Sequence, residues 1–341
     1  MDKPNIAQKS PIIEKVKKGT YYWCACGQSK SQPYCDGSHK GSNFVPIEVI
    51  IPEEKNVAWC ACKQSGNRPF CDGTHKSLQM KSLFINGLKV CDYGGSYPPL
   101  IFIHAFPLSS KMWKHQVDFF KSQYRVITYD VRGLGESKTE DNQYMMENFV
   151  DDFFSIIDNL NIEKSYVCGL SMGGYIILRA ASKAPERFKG IILADTKAEK
   201  DDDEGLLNRS NSISQIKRNG VKEFTGVFLK KLVTEKNYGK PLIKEFLDKI
   251  LIEQTPAGIC GALIAIATRT DTSQVIKKLD LPTLIIVGEK DILIPLNFSV
   301  NLNNSIKESN LVIIPDSGHL TNIENPKLFN KVVSDFLELN K

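Results

Sequence analysis

The stretch Val167-Cys168-Gly169-Leu170-Ser171-Met172-Gly173-Gly174 decides how most of this chain is organised. It contains the pattern Gly-x-Ser-x-Gly, with an apolar strand pattern from Ser165 to Cys168 before it and a helix-like run from Tyr175 to Ala184 after it. A strand, a sharp turn and a helix are the context in which this pattern exposes a nucleophilic serine. We therefore predict a nucleophile elbow at Ser171. The alternative is a glycine-rich turn that contains a serine by chance, and only suitable partner residues would disfavour it.

Strand patterns alternate with helix patterns on both sides of this stretch. A hairpin is predicted first, because Asn86-Gly87 separates two short strand-like runs. Buried strands are predicted at Leu100–Ile103, Tyr124–Tyr129, Ile191–Leu193 and Thr283–Val287, with a helix-like stretch at Met112–Phe120. This alternation predicts the α/β class, with a mostly parallel sheet covered by helices on both faces.

A helical insertion separates the elbow from the last strands. Apolar residues recur with helical spacing between Lys197 and Ile276, and we predict a cap over the site at about residues 198–276. The acidic run Asp201-Asp202-Asp203-Glu204 is interpreted as a solvated helix start and not as a metal site.

Two late segments supply the partners that a serine nucleophile needs. His319 lies on a glycine-containing loop after a strand pattern and is the predicted general base. Asp291, in Gly288-Glu289-Lys290-Asp291, is the predicted acid that orients the imidazole. Asp195 is the rival acid at an earlier strand end, and Asp316 lies close to His319 in sequence. We interpret both rivals as loop aspartates that accept backbone hydrogen bonds.

With these motifs, residues of about 80–341 resemble the α/β-hydrolase superfamily. The order Ser171, Asp291, His319 is the order of the catalytic triad in that fold. The turn His104-Ala105-Phe106-Pro107 has alanine where the family usually has glycine, and the resemblance implies that the backbone N–H groups of Phe106 and Met172 form the oxyanion hole. His104 and Arg132 are expected to be structural, and His115 to be a surface or core residue.

The first eighty residues contain a repeat with an offset of 36 positions. Cys24, Cys26, Cys35 and His39 recur as Cys60, Cys62, Cys71 and His75, and the Trp, Ser and Pro residues between them keep the same offset. Such matching indicates an internal duplication. Each copy offers three thiolates and one imidazole, which is a complete ligand set for a metal centre. Zinc and an iron–sulphur cluster both fit this set.

Both copies match Cys-x-Cys-x2-Ser-x3-Pro-x-Cys-Asp-Gly-Ser/Thr-His, and this pattern resembles the CDGSH iron–sulphur family. The resemblance covers about residues 19–78, with copies at about 19–43 and 55–78. It implies two 2Fe–2S clusters, with zinc as the less favoured occupant, in a module (1–78) that precedes a hydrolase domain (79–341). Because few residues of the module are apolar, we expect metal to supply part of its folding free energy.

Composition excludes some functional classes. The chain has 341 residues and a modest net charge of +5, so no nucleic-acid interface is predicted. The start of the chain lacks the apolar core of a secretion signal, and no apolar run is long enough to span a membrane. We expect a cytoplasmic protein without a membrane partner. Cys91, Cys168 and Cys260 are expected to be small core residues.

The sequence predicts a serine hydrolase that acts on a small ester, lactone or thioester through Ser171, with no cofactor needed for hydrolysis. It is similar to bacterial esterases and enol-lactonases. The fused cluster module would exchange electrons with a redox partner or act as a sensor. One alternative is an iron–sulphur redox or cluster-transfer protein that uses the hydrolase body as a binding scaffold. Another is perhydrolase or haloperoxidase-like activity without a cofactor.

Overall fold

A computed structural model describes residues 4–75, 80–94, 98–139 and 144–340. The chain divides into two compact units, Met1–Lys81 and Ser82–Lys341. Because residues 76–79 are not among those described, most of the connection at about residues 75–80 lies outside them, and so does the end of the second cysteine–histidine copy.

The first unit contains four strands that pair between the two sequence copies. They are β1 (Ile12–Val16), β2 (Gly19–Trp23), β3 (Ile47–Ile51) and β4 (Lys55–Trp59). The offset of 36 relates β2 to β4, and it places β1 within one residue of β3. In the structure, β1 pairs antiparallel with β4, and β2 pairs antiparallel with β3. Each two-stranded sheet thus joins one strand of the first copy to a strand from the second half of the repeat.

This unit has a small apolar core. Trp23 and Trp59 are fully buried, and Val16, Val49, Ile51 and Val57 surround them. The duplication thus brings apolar residues from both halves of the module to one centre. Strand β3 begins only after Pro46, which has no N–H to donate.

The second unit is built on one eight-stranded sheet. Its strands are β5 (Lys81–Ile85), β6 (Leu88–Asp92), β7 (Pro99–Ile103), β8 (Arg125–Tyr129), β9 (Ser165–Leu170), β10 (Phe188–Ala194), β11 (Thr283–Gly288) and β12 (Ser309–Ile314). Their spatial order is β12-β11-β10-β9-β7-β8-β6-β5. The strands from β12 to β8 pair in parallel, and β6 pairs antiparallel with β8. The predicted α/β class with a mostly parallel sheet is confirmed.

Both faces of the sheet are covered, which explains the continuous apolar runs of its central strands. Alternate side chains of β7 enter two separate cores. Ile101 and Ile103 pack on one face, and Leu100 and Phe102 on the other. The helices are α1 (Lys114–Phe120), α2 (Met146–Asn159), α3 (Met172–Lys183), α4 (Asp203–Asn219), α5 (Val221–Leu232), α6 (Glu235–Tyr238), α7 (Pro241–Leu251), α8 (Pro256–Ala267), α9 (Leu296–Ser305), α10 (Thr321–Glu324) and α11 (Pro326–Leu339).

The helices α2 and α3 contribute to the first core, and α1 and α11 to the second. The helices α4 to α8 occupy the predicted insertion between β10 and β11. In the part of the chain that the structure describes, no single helix is long and apolar enough to cross a membrane. Only α7 and α8 together reach that length and composition, and they are bent by 94° relative to each other.

Candidate active site and cysteine–histidine centres

Ser171 lies on a strained turn between β9 and α3. Its backbone has φ +53° and ψ −112°, a conformation that is costly for a residue with a side chain. Helix α3 begins at the next residue, Met172, three residues earlier than the helix pattern predicted. The turn can be this tight only because residues 169 and 173 are glycines. A Cβ on Gly169 would lie 2.4 Å from the backbone of Gly173, and a Cβ on Gly173 would lie 2.2 Å from the carbonyl oxygen of Ile103.

His319 and Asp291 form a buried pair. Nδ1 of His319 lies 2.8 Å from Oδ2 of Asp291. The other carboxylate oxygen of Asp291 accepts hydrogen bonds from the backbone N–H groups of Leu293 and Ile294, at 2.8 and 3.0 Å. Three hydrogen bonds thus fix the Asp291 carboxylate, and its orientation in turn holds the imidazole ring of His319.

The rival acid, Asp195, has other partners. Its fully buried carboxylate accepts a hydrogen bond from Gly288 N at 2.8 Å and one from the hydroxyl of Thr321 at 2.5 Å. Burial, together with the nearby charge of Asp291, raises the pKa of Asp195 well above its ordinary value. Asp316 is exposed and forms an ion pair with Lys290. Of the three acids, Asp291 is thus the one that is hydrogen-bonded to His319.

Ser171 and His319 line the same small cavity, which has a volume of about 70 Å³. Phe106, Tyr175 and Phe228 are among the apolar side chains that line it, and Arg209 from α4 brings a cation to it. Within the described residues, neither the N–H of Phe106 nor that of Met172 donates a backbone hydrogen bond. Both groups are therefore available to an oxyanion.

The other residues that the sequence singled out have structural surroundings. Nε2 of the buried His104 accepts a hydrogen bond from Val131 N at 2.8 Å, and burial lowers the pKa of His104. Arg132 forms an ion pair with Asp152 at 2.6 Å. His115 is exposed on α1.

The interpretation of the acidic run as a solvated helix start is wrong for its first residue. Asp202 caps α4 by accepting a hydrogen bond from Gly205 N at 2.8 Å, as a helix start requires. Asp201, in contrast, is buried between Arg209 and Arg269. Neither Arg209 nor Arg269 could be found from the sequence, because no local pattern shows where a cap helix docks.

The cysteine and histidine side chains of each copy lie in two pairs. Sγ atoms are 3.6 Å apart in Cys24–Cys26 and in Cys60–Cys62. Sγ and Nδ1 are 3.1 Å apart in Cys35–His39 and in Cys71–His75. Among the described residues, no group of three or more such side chains surrounds a single point where one metal ion would sit.

The loops around these pairs are built the same way in both copies. Asp36 accepts hydrogen bonds from the backbone N–H groups of Lys30 and Ser38, at 2.8 and 3.0 Å, and Asp72 accepts the equivalent bonds in the second copy. Gly37 and Gly73 have φ of +93° and +89°, which favours glycine. These residues shape the loops that carry the cysteine and histidine pairs.

Lys63 breaks the symmetry of the two copies, because its counterpart at the repeat offset is Gly27. Its side chain is fully buried, and Nζ donates to Gln32 Oε1 at 2.8 Å and lies 4.4 Å from the Trp23 ring centroid. Gln32 in turn donates to Cys24 Sγ at 3.4 Å. A hydrogen-bonded chain therefore runs from the second copy to a thiolate of the first. Only the mismatch in the repeat could have indicated it.

Comparisons with known proteins agree with this architecture. A family profile described as "alpha/beta hydrolase fold" matches residues 98–326, and one described as "Iron-binding zinc finger CDGSH type" matches residues 5–40 and 45–76. The chain is 30% identical to 3-oxoadipate enol-lactonase 1 of Acinetobacter baylyi over 71% of its own length and 89% of that protein. It is 29% identical to a protein named as a non-heme chloroperoxidase of Synechocystis, over 72% and 92%. A solved thermophilic esterase from Thermogutta terrifontis aligns with TM-score 0.71 and 31% identity, covering 74% of this chain and 93% of the esterase.

Proposed function

The chain belongs to the α/β-hydrolase fold family and is a hydrolase, and from this premise we propose that it cleaves small esters, lactones or thioesters through Ser171, His319 and Asp291. The observation that carries the proposal is the His319–Asp291 hydrogen bond of 2.8 Å beside a cavity that Ser171 also lines. The similarity to an enol-lactonase and an esterase supports the same reaction class.

In the proposed reaction, Ser171 Oγ attacks the substrate carbonyl while Nε2 of His319 takes the hydroxyl proton. Asp291 keeps the proton of His319 on Nδ1 and stabilises the imidazolium that forms. The N–H groups of Phe106 and Met172 donate to the oxyanion of the tetrahedral intermediate. His319 then protonates the leaving oxygen or sulphur, and an acyl-enzyme remains on Ser171. A water molecule, activated by the same imidazole, releases the acid and restores Ser171.

Turnover of p-nitrophenyl acetate tests this proposal. Ser171→Ala should lower kcat/KM by at least about 10³-fold, because the nucleophile is lost. Ser212→Ala is a matched control, since Ser212 lines a neighbouring cleft and not the cavity with His319. Equal turnover by wild type and Ser171→Ala would refute the proposal.

We also propose that each cysteine–histidine copy holds one 2Fe–2S cluster. The two ligand pairs of each copy support this, because a dinuclear cluster takes two protein ligands at each iron, whereas a structural zinc needs four ligands around one point. Cys24, Cys26, Cys35 and His39 would hold one cluster, and Cys60, Cys62, Cys71 and His75 the other. When bound, such a cluster supplies one-electron redox chemistry, which ester hydrolysis does not use.

Metal and sulphide analysis of protein purified without air tests the cluster proposal. Two equivalents of cluster, meaning roughly four iron and four sulphide per chain, with visible absorbance are the expected result. His39→Ala and His75→Ala should each remove about half of the iron. Colourless protein with zinc would refute the proposal and leave the module structural.

A further inference from the structure

Arg209 is the one permanently charged cation among the described residues that line the cavity of Ser171 and His319. It lies on α4, and its side chain is 26% exposed. Arg209 also lines a larger neighbouring cleft of about 420 Å³, so its side chain lies between the cavity and this cleft. The rest of the cavity next to Ser171 is mainly apolar.

Three cations meet at one buried carboxylate beside the cavity. The buried Asp201 carboxylate lies 3.1 Å from Arg209 Nε, 3.0 Å from Arg269 Nη2 and 3.6 Å from Lys197 Nζ. Glu199 is the second carboxylate whose charge acts on Lys197. Asp202 also lines the larger cleft, and the charge of Asp291 acts on Tyr175 in the cavity. Burial and the charge of Arg269 lower the pKa of Lys197.

Two of the cations are committed to partners in the protein. Arg269 donates to the carbonyl oxygens of Ile266 and Glu199 and stacks 4.2 Å from the Tyr175 ring centroid. Lys197 lies over the ring of Phe298, 4.8 Å from its centroid. Arg209 uses Nε for Asp201, and within the described part of the chain its two Nη groups donate no hydrogen bond. The free end of a guanidinium is suited to a carboxylate, which it binds through two parallel hydrogen bonds.

We propose that Arg209 is an anion subsite and that the preferred substrates are esters or lactones with a carboxylate in the acyl part, a few bonds from the scissile carbonyl. This inference rests on the proposed function, since it names the substrate class of that same site. A purely structural Arg209 would hold Asp201 and α4 in place and would affect every substrate alike.

Two p-nitrophenyl esters of similar length distinguish these roles: the hemiglutarate, which is anionic, and the pentanoate, which is neutral. Wild type should prefer the hemiglutarate. In Arg209→Gln, the ratio of kcat/KM for the anionic ester to that for the neutral ester should fall roughly 10- to 100-fold, mainly through KM, because a charged hydrogen-bonded pair is lost. Lys231→Gln, which removes a cation that lines only the larger cleft, should keep the ratio within about 2-fold of wild type.

Glutarate binding gives a second readout that does not depend on turnover. Titration calorimetry should detect glutarate binding to wild type, with affinity at least about 10-fold weaker in Arg209→Gln. An unchanged ester ratio would overturn the subsite, whether Arg209→Gln keeps full activity or loses it equally on both esters, and so would unchanged glutarate binding. Failure of the proposed function looks different, because neither ester would then be turned over in a Ser171-dependent way while glutarate binding could still be compared.

Discussion

Nδ1 of His319 lies 2.8 Å from Oδ2 of Asp291, across 28 positions of sequence. The two residues follow neighbouring parallel strands, β12 and β11, whose carboxyl ends meet at one edge of the sheet. Ser171 follows β9 at the same edge, since β9 and β11 both pair in parallel with β10. The parallel sheet therefore gathers three residues that are far apart in sequence.

Asparagine substitutions separate the two candidate acids. Asp291→Asn should lower kcat/KM for p-nitrophenyl acetate by roughly 10³- to 10⁴-fold, because the amide does not hold the proton of His319 on Nδ1. Asp195→Asn should stay within about 10-fold of wild type, since its partners are Gly288 N and the Thr321 hydroxyl. The opposite ranking in steady-state kinetics would make Asp195 the acid.

The raised pKa of Asp195 predicts a pH dependence of stability. The unfolded chain ionises this group near its ordinary value of about 4, whereas the folded chain holds the proton to higher pH. Its contribution to stability is thus complete below about pH 4 and is lost as the pH rises through the folded-state pKa. In urea unfolding, the stability of Asp195→Asn relative to wild type should therefore increase as the pH rises above about 4.

Asp316→Asn is the control of opposite sign. In wild type, the ion pair with Lys290 lowers the pKa of Asp316. The free energy of folding that this carboxylate contributes should therefore disappear as the pH falls through that lowered pKa. A stability difference between Asp195→Asn and wild type that does not change with pH would contradict the account of Asp195.

A methyl group at Gly173 should damage the elbow. Its Cβ would lie 2.2 Å from the carbonyl oxygen of Ile103, so Gly173→Ala should cost about 1–3 kcal/mol or more in the free energy of unfolding and should displace Ser171. Gly226→Ala is the matched control in α5, where a Cβ meets no atom within 4 Å of it. That change should stabilise the chain by about 0.5–1 kcal/mol. Chemical denaturation measures both.

Lys63 should influence the reduction potential of the proposed clusters. Reduction adds negative charge near the buried Nζ, so Lys63→Met should shift the potential to more negative values. Dye-coupled redox titration measures the shift, and the exposed Lys30→Met in the first copy is the control. Equal potentials for wild type and both variants would contradict this role of Lys63.

The sequence predicted what depends on local chemistry. Ser171 could be found because its turn requires glycines on both sides, and the proposed metal ligands because duplication repeats them. Asp291 and Asp195 could not be separated in this way, since each follows a parallel strand and only the side-chain orientation distinguishes them.

The remaining features depend on how distant elements dock. The repeat offset predicts which strands of the first unit are equivalent, but it does not predict that β1 pairs with β4 and β2 with β3. Arg209 reaches the cavity because α4 packs over it, and the burial of Asp201 depends on Arg269, 68 residues later. Local patterns carry no information about such contacts.

Intact-mass spectrometry after reaction with a fluorophosphonate, followed by peptide mapping, identifies the nucleophile directly. We expect one adduct per chain, located on Ser171, with loss of esterase activity in proportion to labelling. Ser171→Ala should remain unlabelled. Labelling of another residue, or full esterase activity in protein whose Ser171 is completely modified, would contradict the claim that Ser171 is the nucleophile.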